Sequence, residues 1–226
     1  MNRVLRLIHR KLHNDGSTLV EVIVCFALLA IFMAAAATFI TSLTNLFYQI
    51  KGETYSRQVS DILLEKIASE LDGAEYFDML KSDNPVLDDD NKSITLYDKT
   101  DTKVTLSASD NKLQVKYHAI SGYEATDWSF DDSVYNGFRI GKEGGEGEET
   151  DVGLYFIRAD KLSQSSVDLS DYGLTATART DEKYPSNVIV VLLHLNHPRY
   201  DDYYTYRFVR MYNLPKDYEW GESTPS

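Results

Sequence analysis

Residues 14–33 read NDGSTLVEVIVCFALLAIFM and establish the character of the N-terminal region. From Val22 to Ile50 there is no charged residue, and residues 22–37 are apolar without a break. About 20 apolar residues, each adding about 1.5 Å, let a helix cross a hydrocarbon layer of about 30 Å. The sequence therefore predicts one membrane-spanning helix near the N-terminus.

Glu21 is the exception inside this apolar segment. A carboxylate near the end of a membrane helix is costly, so such a residue is a functional candidate by default. It lies five residues after Gly16, and a basic leader comes before that glycine. The basic residues of the leader are Arg3, Arg6, Arg10 and Lys11.

This arrangement resembles the N-terminus of type IV prepilins and pseudopilins over about the first 40 residues. The resemblance implies that a membrane-embedded prepilin peptidase cleaves after Gly16 and methylates the new amino terminus at Ser17. Counted from Ser17, Glu21 is the fifth mature residue, which is a glutamate in this family. Two departures from the family pattern favour a minor, low-abundance pilin. The first mature residue is serine, whereas phenylalanine is usual in the family. Many major pilins have a proline midway along the helix, whereas here no proline precedes Pro85.

After cleavage, the carboxylate of Glu21 is also expected to form an ion pair. The nearest fixed positive charge is then the amino terminus of Ser17, on the same chain or on a neighbour. An ammonium–carboxylate pair is far stronger in a low-dielectric helix bundle than in water. We therefore expect Glu21 to direct assembly by favouring one stagger between adjacent helices.

Two other interpretations account for part of this segment. A secretory signal peptide is one, because residues 34–37 offer an A-x-A-like cleavage site. An ordinary single-span anchor is the other, and it explains the apolar run but neither Gly16 nor Glu21. The prepilin interpretation covers all of these features and is preferred.

The helix is expected to continue beyond the membrane as far as Asp72. An amphipathic stripe predicts this, and its residues are Tyr55, Val59, Ile62, Leu63, Ile67 and Leu71. Gly73 is a plausible end because glycine accepts the left-handed cap conformation. The alternative is two separate helices with a break near Lys51 and Gly52.

After Gly73 the apolar pattern changes to alternation, which predicts antiparallel strands. The predicted strands begin near residues 94, 104, 113, 134, 152, 188 and 203, and the strand over residues 188–195 is the most apolar. We expect residues 141–150 to form a flexible acidic tip and residues 161–186 to form a loop with at most a short helix. The tail from Asn213 is expected to be loose. The fold class is α+β, with a long N-terminal helix packed on an antiparallel β-sheet domain.

This pattern divides the chain into three parts. They are a basic leader over residues 1–16, a transmembrane and assembly helix over 17–53, and an extracellular pilin-like domain over 54–226. The last contains the amphipathic half of the helix (54–72) and the β-sheet (93–212). The basic flank puts the leader in the cytoplasm and the rest outside.

Charge and cysteine content restrict the partners. The chain has a net charge of −12, and removal of the leader leaves 19 basic and 34 acidic side chains, a net charge of −15. Such a surface repels nucleic acid, so no nucleic-acid partner is expected. The single cysteine, Cys25, forms no intramolecular disulfide, and stability must come from packing.

No catalytic set is evident in the predicted domain, so we expect neither an enzyme nor a cofactor. His194 and His197 point to opposite faces of a strand because they are three residues apart. Asp88 and Asp90 are weak candidates for calcium ligands in the acidic loop after the helix, where a solvated loop is the default. The tyrosines near the last strand, residues 200–212, are expected to be half-buried strand positions rather than a ligand-binding strip.

The function expected from the resemblance is that of a structural subunit, a minor pilin or pseudopilin, in a type IV pilus-like filament on the cell surface. Its implied partners are the prepilin peptidase, other pilin subunits, an assembly ATPase and a membrane platform protein. The alternative is a single-pass, membrane-anchored extracellular binding domain that never polymerises.

Overall fold

The structure is a computed structural model, and it describes residues 19–77, 92–119, 124–142, 152–164, 169–174 and 184–218. The chain forms two compact units, Met1–Tyr48 and Gln49–Ser226. The described residues confirm the predicted class, a long N-terminal helix followed by antiparallel β-sheet. The division into leader, assembly helix and extracellular domain stays a prediction.

Helix α1 spans Leu19–Asp72 as one element of 54 residues. It continues through Lys51 and Gly52, so the alternative of two separate helices is wrong. It ends just before Gly73, as expected, but Gly73 does not adopt a positive φ. The chain instead passes directly into the first strand, and the side-chain amide of Asn213 donates to the carbonyl of Asp72 at 2.9 Å.

The second half of α1 buries one face against both sheets. Four of the predicted stripe residues, Val59, Leu63, Ile67 and Leu71, lie in the core and Tyr55 packs at its edge. Ile62 is 44% exposed, whereas Leu64, which is absent from the predicted stripe, is 4% exposed. The buried face therefore extends to the Leu64 side, where the small side chains of Ser56 and Ser60 allow close packing.

The first sheet contains five antiparallel strands in chain order. They are β1 (Ala74–Phe77), β2 (Ser93–Asp98), β3 (Lys103–Ser109), β4 (Lys112–Tyr117) and β5 (Thr126–Ser129). The predicted three-stranded meander is confirmed as β2, β3 and β4. Asp110 and Asn111 turn the chain between β3 and β4 with φ values of 52° and 61°, which such tight hairpin turns require. The edge strands β1 and β5 were not predicted.

The second sheet is built on a central strand. Its members are β6 (Arg139–Ile140), β7 (Leu154–Arg158), β8 (Val188–His197) and β9 (Tyr200–Arg210), and β8 pairs antiparallel with each of the others. The strands predicted near residues 152, 188 and 203 are confirmed. The six-residue 3-10 helix Ala159–Gln164 agrees with the predicted short helix.

The prediction of a strand over residues 134–140 is largely wrong. A short helix, α2 (Asp132–Tyr135), begins there because the Asp131 side chain accepts a hydrogen bond from the Ser133 amide. Asn136 and Gly137 then adopt positive φ angles, which end the helix and leave only two residues for β6. These local hydrogen bonds override the apolar alternation of the sequence.

Strand β8 is apolar on both faces because it separates two hydrophobic clusters. Its odd-numbered residues, 189–195, join α1 and the first sheet in the larger cluster. Val188, Val190 and Leu192 pack in a second cluster with the 3-10 helix and residues 169–174. A nearly continuous apolar run is typical of a strand buried in this way.

The segment after β9 is fixed by contacts as far as Tyr218, so the prediction of a loose tail from Asn213 is wrong for these residues. The side-chain amide of Asn187 donates to the carbonyls of Met211 (3.2 Å) and Leu214 (2.9 Å). The Tyr218 hydroxyl accepts a hydrogen bond from the Phe77 amide. Both partners lie far away in sequence, so a polar local composition does not reveal them.

We predict that a fragment beginning at Gln49 folds as a soluble monomer. The apolar face of α1 after Gly52 is buried within the same compact unit, so no other protein is needed to cover it. Size-exclusion chromatography and circular dichroism measure this directly. Aggregation of the fragment, or a spectrum without β-structure, would show that the stripe belongs to a partner.

Gly153 occupies a position that excludes any side chain. Its φ is +70°, and a Cβ built on it would lie 2.1 Å from the Gly141 nitrogen and 2.9 Å from the His194 carbonyl oxygen. Gly141 donates to that carbonyl, and the His194 amide donates to the carbonyl of Gly153. The close approach of the two glycines lets β6 and β7 pair with the same central strand.

We predict that Gly153→Ala lowers the free energy of unfolding by roughly 2 kcal/mol more than Gly173→Ala. Gly173 is a matched control because its φ is +79° but a Cβ there meets nothing within 4 Å. Both variants carry similar backbone strain, and only Gly153→Ala adds overpacking. Urea unfolding of the two variants should separate them; equal losses would contradict the steric explanation.

Candidate functional site

The described part of the first unit, residues 19–48, is a single helical segment with an exposed apolar surface. Its large apolar side chains are all exposed, from 40% at Val22 to 79% at Leu19. Among the described residues, α1 is the one helix that is long and apolar enough to cross a membrane. Such a surface is stable only in lipid or against other apolar helices.

Glu21 lies in the first turn of α1 and is exposed. It is the only charged residue among residues 19–50. The positive end of the helix dipole stabilises a carboxylate at this position, which offsets part of the cost of placing it near the membrane. The local structure therefore keeps a single negative charge at the start of an otherwise apolar helix.

The threonines of the apolar segment have hydroxyls that are satisfied within the helix. Thr38, Thr41 and Thr44 donate to the carbonyls of Ala35, Ala37 and Ile40 at 2.8–3.0 Å. Hydroxyls bonded in this way do not need water, so they are compatible with dry surroundings. These three threonines therefore do not prevent the helix from packing in an apolar bundle.

Four of the predicted site residues, Gly16, Ser17, Asp88 and Asp90, lie outside the described residues, and the structure gives no geometry for them. Within the part of the chain that it does describe, no group of three or more His, Cys, Asp or Glu side chains is arranged to hold a metal ion. Of the predicted processing and assembly residues, only Glu21 has a described position.

The two histidines of β8 do not form a joint site. His194 is buried and stacks on Tyr204 with ring centroids 4.1 Å apart, on the side of the second cluster. His197 stacks on Tyr200 at 4.4 Å, against the larger cluster. The predicted separation of the two side chains onto opposite faces is confirmed.

The tyrosines of the last strand region are mostly packing residues. Tyr200, Tyr203 and Tyr204 are partly buried, as predicted, because they pack on the two clusters. Tyr206 is 37% exposed on β9, which also agrees with the prediction, whereas the prediction is wrong for Tyr212, which lies after the strand and is 74% exposed. The Arg210 guanidinium lies 5.3 Å from the centre of the Tyr212 ring.

A shallow polar groove of about 480 Å³ lies between the end of α1, the β2–β3 turn and the segment after β9. Asp98 lines this groove, and one of its carboxylate oxygens accepts three hydrogen bonds from Thr100 and Thr102. Burial by itself raises the pKa of Asp98, and these hydrogen bonds outweigh it and lower the pKa below its usual value. The carboxylate therefore holds the turn and carries no evident chemistry.

One polar network between α1 and the first sheet was missed from the sequence. Lys66 and Glu70 form an ion pair, and the Tyr117 hydroxyl donates to Glu70 at 2.8 Å. Burial lowers the pKa of Lys66, but the hydrogen bond and charge of Glu70 dominate and raise it. The Lys66 ammonium also lies 4.5 Å from the centre of the Trp128 ring. The i, i+4 spacing of Lys66 and Glu70 was the available signal, and the network positions α1 rather than performing chemistry.

Comparison with known proteins identifies the N-terminal segment. The family model described as "Prokaryotic N-terminal methylation motif" matches residues 12–37. Searches of curated proteins and of solved structures found no match. The matched region contains Gly16, Ser17 and Glu21. The matched segment is the signature of type IV prepilins, and it includes the start of the apolar helix α1, which is long and apolar enough to cross a membrane.

Proposed function

We propose that the chain is a non-catalytic structural subunit, a minor pilin or pseudopilin, of a type IV pilus-like filament. The observation that carries this proposal is the apolar segment of α1, which is exposed over residues 19–48 and has Glu21 as its only charged residue. Lipid covers this surface before assembly, and the apolar helices of other subunits cover it in the filament.

Processing makes the chain competent for assembly. A prepilin peptidase removes residues 1–16 by cleavage after Gly16, because a residue without a side chain fits a narrow cleft, and Ser17 becomes the methylated amino terminus. The motif match over residues 12–37 supports this step. The change in net charge from −12 to −15 comes from the loss of the basic leader, which had held the N-terminus in the cytoplasm.

Glu21 then provides the specific contact in assembly. In a dry bundle its carboxylate pairs with the amino terminus of Ser17 on a neighbouring subunit. A slip of one helix along the other would separate the two charges into apolar surroundings, which is strongly unfavourable. The remaining apolar contacts define the stagger only weakly, because they are similar at every register.

The other partners follow from this mechanism. Extraction of an apolar helix from the membrane into a filament requires work, which an assembly ATPase supplies through a membrane platform protein. The domain over residues 54–226 is extracellular and lies on the filament surface or tip. Single-pass topology with a cytoplasmic N-terminus agrees with the basic residues before the span.

We predict that Glu21→Val and Glu21→Gln lower incorporation into filaments about tenfold or more while leaving cleavage and membrane insertion unchanged. Loss of the charge pair removes at least about 1.4 kcal/mol, which corresponds to a factor of ten. The measurement is the amount of this subunit in filaments sheared from cells, divided by its amount in the membrane fraction.

Glu53→Gln is the matched control for these variants. Glu53 is an exposed glutamate of the same helix, but it lies after the apolar segment and pairs with Arg57. The control should retain the wild-type ratio. A wild-type ratio for both Glu21 variants would show that Glu21 does not direct assembly. Absence of the wild-type subunit from sheared filaments would favour the anchored domain that never polymerises.

A further inference from the structure

Packing does not account for the position of Tyr212. Its side chain is 74% exposed, whereas the nearby residues Met211 and Leu214 are buried. The side-chain amide of Asn187 donates to the carbonyls of Met211 and Leu214, and the Leu214 amide donates to the Met211 carbonyl. The backbone on either side of Tyr212 is therefore anchored, and the folded unit holds this ring out from its surface.

Tyr212 lines the polar groove of about 480 Å³ at the end of α1. The Arg210 guanidinium lies 5.3 Å from the centre of the Tyr212 ring, and this contact restricts the orientation of the ring. Another wall of the groove is the β2–β3 turn, which three hydrogen bonds to one oxygen of Asp98 hold in shape. Walls that are fixed in this way lose little conformational entropy when a ligand binds.

Polar groups with unused hydrogen-bonding capacity line the groove beside this ring. They are the Ser69 hydroxyl, the Asp72 carboxylate, the Lys99 ammonium and the second carboxylate oxygen of Asp98. Within the part of the chain that the structure describes, none of these groups takes part in a hydrogen bond or an ion pair. The set contains both donors and acceptors. A ligand with several hydroxyl groups suits it, because a hydroxyl both donates and accepts.

The charges and the lining of the groove disfavour other classes of ligand. Asp72, Asp98 and the negative end of the α1 dipole oppose an anion. Lys99 opposes a cation, and among the described residues no group of three or more His, Cys, Asp or Glu side chains is arranged to hold a metal ion. A lipid needs a larger apolar surface than the Tyr212 ring provides. A neutral sugar fits, because its C–H face packs on an aromatic ring while its hydroxyls reach the polar groups.

We propose that the polar groove binds a neutral oligosaccharide, with one sugar ring packed on Tyr212 and its hydroxyl groups bound by Ser69, Asp72 and Lys99. The volume of the groove lies within the range of small-molecule sites, about 300–1,000 Å³. Because the groove is shallow, we expect weak binding, which several copies of the sugar on one surface would strengthen. The inference goes beyond the proposed function, since every residue that lines the groove belongs to the second compact unit.

Binding of the full-length chain to immobilised oligosaccharides tests the proposal. The chain is purified in a zwitterionic detergent, because a detergent with a sugar head group would compete for the groove. The probes are oligosaccharides built from galactose, mannose or N-acetylglucosamine, each immobilised at high density. A sialylated oligosaccharide and an oligolysine peptide are the anionic and cationic comparisons. Biolayer interferometry measures the apparent dissociation constant for each probe.

We expect the wild-type chain to bind at least one neutral oligosaccharide, and Tyr212→Ala to weaken that binding about fivefold or more, because it removes the surface on which the sugar packs. Tyr212→Phe keeps the ring and should retain most of the affinity. Tyr206→Ala is the matched control, since Tyr206 is a partly exposed tyrosine of β9 that does not line the groove. The control should bind like the wild type.

Asp72→Ala separates binding from folding. Asp72 is exposed in the last turn of α1, where a carboxylate opposes the helix dipole. Its replacement should therefore leave the thermal unfolding temperature unchanged or slightly higher. Binding of the neutral oligosaccharide should nevertheless fall about fivefold or more, because a hydrogen bond to a charged group is lost.

Absence of binding to every neutral oligosaccharide overturns the proposal, as does tighter binding of the sialylated probe or of oligolysine. Wild-type affinity in both Tyr212→Ala and Asp72→Ala also overturns it, because the sugar would then bind elsewhere. An equal loss in Tyr206→Ala and Tyr212→Ala has the same consequence. None of these results bears on the filament role, which the assay of sheared filaments tests separately.

Discussion

An apolar helical surface that none of the described residues covers is the constraint on which the structure depends. In α1 the residues from Val59 to Leu71 bury their apolar face against the two sheets, so this half of the helix is stabilised within one chain. Residues 19–48 have no such cover among the described residues. Burial of apolar area is the dominant favourable term in folding and association, so an exposed apolar segment of this length favours lipid or another apolar surface over water.

The globular unit packs against the second half of α1 and fixes its position. Strand β8 supports the unit because it joins a cluster that contains α1 and the first sheet to a second cluster behind it. The hydrogen bond from Tyr117 to Glu70 and the contact of Lys66 with Trp128 fix α1 beside β4 and β5. Gly52 permits close packing at the other end, since a Cβ there would lie 2.8 Å from the Tyr200 ring. No catalytic group is needed to explain these features.

Much of the fold could be predicted because its signals are local. Residues that are neighbours in sequence form these patterns: the apolar run, the stripe before Gly73 and the alternation in β2, β3 and β4. One failure depends on contacts between distant residues, and another on a local hydrogen bond. Asn187 and Phe77 fix the C-terminal segment, and the hydrogen bonds around Asp131 replace an expected strand by α2. No periodic pattern reports such contacts.

The candidate site rests on a different kind of sequence signal. Gly16, Ser17 and Glu21 lie in the segment that matches the N-terminal methylation motif, and a short linear motif of this kind can be found in the sequence without knowledge of the fold. No comparable linear motif in the sequence indicates what the two sheets do.

The most direct test of the account is the intact mass of the native protein extracted from membranes. The account predicts a chain that begins at Ser17 and carries a methyl group on its amino terminus. A chain that begins at Met1 would contradict it in favour of a simple anchor. A chain that begins at Thr38 would contradict it in favour of a cleaved signal peptide, because the apolar helix would then be absent from the mature protein.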